Sequence, residues 1–207
     1  GLAVTFTSSD IGLADAEYPD CIEGCPSHVF IVDRDSDDDG EIGVAETFAT
    51  AIVSAHDDAT DESGLTIAGT SPSTQPSISG DGQLVAFVTR APNLQLIEVP
   101  GVGSGNDGDI LLAEVRNGRL TRVTNTVDGV LPAPGVHAHP DLSDTGRTAV
   151  FDTAAAADLL VDVALAGRQV VARSSEPLLS LPDADVGTTL VGLASDEWYV
   201  AVINDGP

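Results

Sequence analysis

The feature that most constrains this chain is a phrase of twelve residues that returns. Pro76-Ser77-Ile78-Ser79-Gly80-Asp81-Gly82-Gln83-Leu84-Val85-Ala86-Phe87 reappears as Pro140-Asp141-Leu142-Ser143-Asp144-Thr145-Gly146-Arg147-Thr148-Ala149-Val150-Phe151, and in worn form as Pro182 to Leu193. In each copy the interval from the Pro to the last apolar residue is eleven. A phrase repeated in this way marks an architecture of stacked units, each burying its apolar face against its neighbours.

A second phrase extends the match. Asp109 to Arg119 aligns without gaps on Asp158 to Arg168, Glu197 to Gly206 is a third copy, and His28 to Val32 opens a fourth. Phe6 to His28 and Phe87 to Asp109 are both intervals of 22, whereas Phe151 to Asp158 is only 7. The units are therefore expected to differ mainly by an insertion at one fixed place.

Each unit reads as short strands. Leu84 to Thr89, Ile110 to Val115 and Leu120 to Thr124 are apolar or β-branched runs bounded by Gly, Asp and Asn, which is strand-and-turn chemistry. Asp81-Gly82 and Asn117-Gly118 suit tight hairpins, because Gly and to a lesser extent Asn and Asp accept positive φ. The stretch Ala154 to Ala166 comes nearest to a helical period, but Asp158 to Val163 falls on the strand phrase and is read as strand. The unit is thus four antiparallel strands, a to d, with hairpins between a and b and between c and d. Leu2 to Thr7 aligns with Leu84 to Thr89, so the chain opens inside a strand b and closes just after a strand c. The count is b-c-d, a-b-c-d, a-b-c-d and a-b-c.

Four-stranded units near 42 residues apart, as from Pro140 to Pro182, suit propeller blades. The pattern P-x-x-S-x-D-G-x-x-[VI]-A-[FY], followed by an Asp, an apolar strand, a turn and a Thr-Arg-Val strand, resembles the TolB-type, WD-like propeller repeat of bacterial secreted proteins. The likeness covers nearly the whole chain in four partial copies and is closest from Pro76 to Thr124. It implies an all-β fold, a β-propeller of four-stranded antiparallel blades with about three and a half blades present. On that reading residues 1–66 form a partial blade, 67–126 and 127–176 two blades, and 177–207 a second partial blade. Since members of that family usually close with six or more blades, the chain is expected to be an open arc, part of a larger propeller, or a ring completed by another chain. An open arc would leave strand edges unpaired.

Composition narrows the function classes. The chain of 207 residues carries 33 acidic and 8 basic side chains, all eight of them Arg, for a net charge of −25. That argues against nucleic acid, whose binders need a basic face, and against anionic membrane surfaces. A surface of this charge is kept apart by repulsion, and the Lys-free composition also fits a salt-adapted or high-GC microbe. No run of eighteen apolar residues is present to span a membrane, and the opening residues read as strand rather than signal peptide, as at a processed start. Cys21 and Cys25, the only cysteines, lie in a turn-rich insertion. Their spacing differs from that of the usual redox motif and no second pair completes a zinc site. A disulfide between them is expected, and with it an oxidising compartment: periplasmic, cell-surface or secreted.

The constellation that carries chemistry lies between strands c and d of the first unit. There Asp33 to Glu46 replaces a turn that is only Arg116-Asn117-Gly118-Arg119 in the second unit. Numbered from Asp35, acidic oxygens fall at positions 1, 3 and 5 (Asp35, Asp37, Asp39), Gly40 at 6, Ile42 at 8 and Glu46 at 12. That is the spacing of a calcium loop, in which alternate carboxylates turn inward on one hard cation, the Gly permits the sharp turn and the carbonyl of Glu41 adds an oxygen. The flanks read as strands rather than EF-hand helices. The acid expected at position 9 is Gly43, which leaves the final place to Glu46, Asp33 or water. The competing reading is a solvated acidic hairpin, but five Asp within Asp33 to Asp39 repel one another without a counter-ion. Ca2+ is the expected cofactor.

Other candidates are weaker. His137-Ala138-His139 has the alternation of a metal pair, but no third ligand is spaced nearby and a turn or a pore lining is the expected role. Gly101-Val102-Gly103-Ser104-Gly105 lacks the strand-to-helix setting of a phosphate loop and fails the Gly-x-Ser-x-Gly spacing of a hydrolase elbow. No catalytic constellation emerges, so a non-enzymatic extracytoplasmic scaffold is expected, presenting the insertions Asp10 to Ser27 and Ala91 to Gly108 to a protein partner or to a multiprotein assembly. The alternative is an accessory propeller of a larger hydrolase of serine-peptidase type, its catalytic part outside this chain. Propeller architecture does not dictate which.

Overall fold

The computed structural model describes residues 2–14, 16–18, 25–35, 42, 48–60, 66–94, 108–125, 133, 135–154, 159, 169–174, 189–190 and 199–203. Over them run the strands β1 (Ala3–Ser8), β2 (Ala16–Glu17), β3 (His28–Asp33), β4 (Ala49–Ile52), β5 (Ala55–Thr60), β6 (Thr66–Ala68), β7 (Ser73–Ile78), β8 (Leu84–Thr89), β9 (Asp109–Glu114), β10 (Leu120–Arg122), β11 (His137–Leu142), β12 (Thr148–Thr153), β13 (Gln169–Ser174), β14 (Thr189–Leu190) and β15 (Tyr199–Ile203). The protein is all-β, and the described residues form four sheets of which none closes on itself.

The repeated phrase is a hairpin whose hydrogen bonds recur atom for atom. Ser79 donates its N–H to the Leu84 carbonyl at 2.9 Å and takes the Leu84 N–H on its hydroxyl at 3.0 Å. One unit later Ser143 does the same with Thr148, at 2.9 and 3.1 Å. Gly82 and Gly146 close these turns at φ 72° and 68°, a region a side chain enters only at a cost. The Ser and Gly of the phrase are thus turn chemistry.

Register repeats as well. β1 pairs with β3 from Ala3↔Asp33 to Ser8↔His28, and β8 with β9 from Leu84↔Glu114 to Thr89↔Asp109, the same ladder moved by 81 residues. β7 and β11 pair with β8 and β12 through matching bulges, between Thr74 and Ser77 and between Ala138 and Asp141. Phe6, Phe87 and Phe151 each take the fourth place of their strand, opposite Phe30, Leu111 and Val171. This corrects the expected alignment of Leu2 to Thr7 by one residue: Ala3–Ser8 is the segment that matches Leu84–Thr89. Such a slip matters because it turns every side chain to the other face.

The first sheet is β1-β3-β4, a b-c-d meander, and the second is β7-β8-β9-β10, a complete a-b-c-d. The third departs from expectation. β12 pairs with Gln169–Ser174 rather than with Asp158 to Val163, of which only Leu159 is among the described residues. Leu159 is helical and buried in the core with Phe151 and Val171. The run Ala154 to Ala157 ahead of it favours helix, whereas the Val170-Val171 pair favours strand. Tyr199–Ile203, expected in a separate final unit, pairs with β13 and extends the third sheet to five strands with β14 at its edge. A fourth sheet, β2-β6-β5, was not foreseen. In it β5 and β6 are antiparallel and the two-residue β2 adds parallel to β6.

The second sheet is buried on both faces. Val85, Phe87 and Leu111 join Val29 and Ile31 of the first sheet in one core, while Ala86, Val88 and Ile110 join Ala149, Phe151 and Val171 of the third in the other. Strands buried on both sides lose the polar alternation of a half-exposed sheet, which explains the continuous apolar run Leu84 to Val88. Burying a side chain such as Phe87, fully covered here, contributes about 1.5–3 kcal/mol.

Candidate functional site

The units are joined by residues that hold the same place in successive copies of the phrase. Gln75 accepts the His139 N–H on Oε1 at 2.7 Å. Ser77 donates its hydroxyl to Asp141 Oδ1 at 3.0 Å and accepts the Leu142 N–H at 3.1 Å. Gly80 donates to the Asp144 carbonyl at 2.8 Å. Gln75 and His139 both sit at positive φ, 55° and 51°, at the bulge before the Pro. The bulge turns the strand so that one unit's inner strand meets the next residue for equivalent residue. Sequence reading found the phrase but not this joint; of the bond-making side chains only Ser77 and Asp141 lie within the phrase as polar letters.

The acidic loop starts beside the next unit's turn. Asp33, Asp35, Ser79, Gly80, Asp81 and Gln83 line part of a cavity of about 490 Å³. Asp35 is buried, and its N–H donates to Asp33 Oδ1 at 2.9 Å. Asp81 accepts from the Ser79 hydroxyl at 2.6 Å and from the Gln83 N–H at 3.0 Å. These bonds favour the ionised form and hold its carboxyl below the usual range. Ile42, the apolar residue at position 8, is exposed. Asp37, Asp39, Glu41 and Glu46 lie outside the described residues, and among the described residues no three His, Cys, Asp or Glu side chains are grouped to hold a metal.

A buried polar cluster lies where the second and third sheets meet. Arg122 Nε approaches Asp109 Oδ2 at 3.5 Å, and Thr124 donates its hydroxyl to Asp109 Oδ1 at 3.0 Å while accepting the Ile110 N–H at 3.2 Å. Burial pushes the Asp109 carboxyl up, against the opposing pull of Arg122. Arg173 is also buried, donates to the Val123 carbonyl, and is pushed down to about 10 by loss of solvation. The first unit has His28 in the place of Asp109 and Ser54 in that of Thr124: the Val29 N–H bonds Ser54 Oγ at 3.0 Å. His28 is buried against Tyr18 and Phe30, neither ring nitrogen has a hydrogen-bond partner among the described residues, and burial lowers its pKa.

His137 and His139 do not converge. His137 is buried, with Nε2 3.0 Å from the Ala133 carbonyl, and His139 is exposed, with Nδ1 3.1 Å from Asp152 Oδ1. His139 lies within the bulge between Ala138 and Asp141, which breaks the alternation that a metal pair would need.

The two insertions leave from equivalent points, between β1 and β3 and between β8 and β9, strands that nineteen residues separate in each case. The root of the second is pinned to β6 and the residues just after it. Asn93 accepts the Thr70 N–H at 2.8 Å and donates to the Ala68 carbonyl at 2.9 Å. Asp10 caps a short 3-10 turn at the root of the first insertion, accepting the Gly12 N–H at 2.9 Å. Cys25 is half-buried just before β3; Cys21 and Gly101 to Gly105 lie outside the described residues. No helix among the described residues is long and apolar enough to cross a membrane. Neither a family model nor a curated protein matches the chain.

Proposed function

We propose that the protein is a propeller-type repeat scaffold of the TolB-like kind, non-enzymatic and extracytoplasmic, which presents its two long insertions to a protein partner or within a multiprotein assembly. The observation that carries this reading is the b–c ladder shared by the first two units, β1 with β3 and β8 with β9 in the same register, their sheets packed in one core. A ladder repeated in the same register sends the connection between its two strands out at the same end of each sheet. The insertions Asp10 to Ser27 and Ala91 to Gly108 are such loops. Their anchored roots support a surface held for recognition.

Asp35, Asp37 and Asp39 with the Glu41 carbonyl and Glu46 form a structural Ca2+ loop in this reading. The support is the ligand spacing, and the buried Asp35, which lines a cavity together with Asp33 and Asp81. A bond between Cys21 and Cys25 braces the first insertion and places the protein in an oxidising compartment. Thiol titration of the denatured, unreduced protein should find no free thiol, and two reactive thiols would remove that placement.

The test of the scaffold reading is a loop exchange. Replacing 96–106 by a short Gly-Ser turn should leave the circular dichroism and melting temperature close to wild type while abolishing cross-linking to the partner in the native extracytoplasmic fraction. A partner retained equally by both proteins, or peptidase or esterase activity of the purified chain, would overturn it.

A further inference from the structure

The repeat places a titratable side chain at the start of β3 and of β9 but surrounds the two differently. In the second unit Asp109 accepts the Thr124 hydroxyl at 3.0 Å and faces Arg122 Nε at 3.5 Å. In the first unit His28 takes the place of Asp109, and Ile52, opposite Phe30 as Arg122 is opposite Leu111, takes the place of Arg122. Ser54 stands for Thr124, and its hydroxyl oxygen accepts the Val29 N–H. His28 is 1% exposed, and among the described residues neither of its ring nitrogens has a hydrogen-bond partner. A proton added to this ring would make a buried charge, which is costly unless it is paired.

The cover over His28 is thin on one side. Phe30, whose ring centre lies 6.4 Å away, is fully buried within β3, whereas Tyr18, at 5.2 Å, is half-buried. Tyr18 directly follows β2, which is two residues long, stands at the edge of the fourth sheet and pairs with β6 through Ala16↔Thr66 and Glu17↔Ile67. Residues 16–18 are thus a strap that runs from the fourth sheet onto the start of β3. Short edge segments of this kind open before the core does.

β3 packs against β1, β4 and β7, and none of these carries an acidic, basic or histidine side chain. Asp33 stands at the opposite end of β3. Tyr18 is the titratable group in ring contact with His28, and burial alone lowers the pKa of the imidazole.

We propose that His28 is a proton-operated latch for the strap 16–18: the neutral ring seats Tyr18, and a protonated ring drives the strap off and is taken up by water. Histidine suits the task because its charge changes between about pH 5 and 8, and the strap is the two-state element that the proton biases. The inference concerns how the first insertion is held on the fold and is independent of what that insertion binds.

The test is amide exchange of the full chain across pH, comparing protection at residues 16–18 with that at residues 85–87 of the second sheet. Strap protection should fall by up to about tenfold per pH unit below 6.5, the ordinary value for histidine, because opening takes up one proton. Protection in the second sheet should hold. His28→Phe, which keeps an aromatic ring beneath Tyr18, should make strap protection independent of pH. Should that variant fail to fold, Tyr18→Ala reads the same coupling from the other side: the His28 titration, followed by nuclear magnetic resonance, should move up toward 6.5. Strap protection unchanged between about pH 7 and 5, a loss shared equally by the second sheet, or a His28 titration indifferent to Tyr18→Ala would each overturn the proposal. Any of these with loop-dependent partner cross-linking intact would sink this inference alone, and the reverse would sink only the scaffold reading.

Discussion

The His139 N–H donates to Oε1 of Gln75 at 2.7 Å, and the two residues stand 64 apart at the same point of the same phrase, each at positive φ. A bond between repeat-mates couples one unit's bulge to the next one's. The conformation that Gln75 adopts to make its own bulge also aims its side chain at the bulge of its neighbour.

Gln75→Ala removes the acceptor and leaves the His139 amide to water. Because the site is exposed, the loss should be that of one ordinary hydrogen bond, about 0.5–1.5 kcal/mol in urea unfolding. Ser77→Ala acts at the same joint, so the double variant should lose measurably less or more than the sum. Strict additivity would show that the two bonds are independent and that the joint is not one unit.

Gly82 and Gly146 share a turn position and a positive φ but differ in what an added Cβ would meet. At Gly82 it would lie 3.6 Å from Ala3 Cβ, ordinary contact, and at Gly146 2.4 Å from Leu84 Cδ1. Gly82→Ala should therefore cost only the backbone strain, about 1–2 kcal/mol. Gly146→Ala should cost a further ~1–3 kcal/mol from overpacking. Leu84→Ala in the Gly146→Ala background should recover part of that difference. Equal losses at the two glycines would refute the packing of each turn on the preceding unit.

The hairpin of the phrase was legible because Ser79, Gly82, Ser143 and Gly146 act locally, through bonds within five residues of chain. Equal spacing from Phe6 to His28 and from Phe87 to Asp109 revealed the b–c register for the same reason: the ladder moves as a block. The third sheet was misread because Asp158 to Arg168 copies the letters of a strand, while alanines and the burial of Leu159 favour helix at that point. Pairing partners such as Tyr199–Ile203 for β13 are chosen by which edge is free, which no local letter records. The buried polar cluster was missed because Asp109 and Arg122 read as ordinary turn-flanking charges. Only burial makes their pairing matter, since removing one partner would leave the other charge uncompensated.

His28 predicts a pH dependence. Its pKa is lowered by burial from an ordinary 6.5, so the folded protein holds the ring neutral where the unfolded chain takes up a proton. The sign follows: the contribution is fully present above about pH 6.5 and is lost as pH falls toward the folded value. Unfolding free energy should therefore drop between pH 6.5 and 5.5, and His28→Phe, which keeps an aromatic ring beside Tyr18 and Phe30, should flatten that drop. A wild-type curve that is level over this window, or one unchanged by the substitution, would show that His28 is charged or solvated in the fold.

The proposed calcium loop gives the prediction with the largest expected effect. An ion that binds only the folded form stabilises it by mass action, about 2.7 kcal/mol at a hundredfold excess over the dissociation constant. Calcium should raise the melting temperature of the chelator-treated protein, and magnesium should do so less, because it demands a tighter octahedral shell than an Asp-rich loop provides. Asp37→Ala should erase the calcium response while leaving the far-ultraviolet circular dichroism unchanged. Asp35→Asn is the sharper variant. Asp35 is buried and lines the cavity beside Asp33 and Asp81, so neutralising it should weaken calcium binding. The calcium-dependent increment in melting temperature should then shrink. If melting is indifferent to calcium in the wild type and Asp35→Asn changes both states alike, the loop is a solvated acidic hairpin.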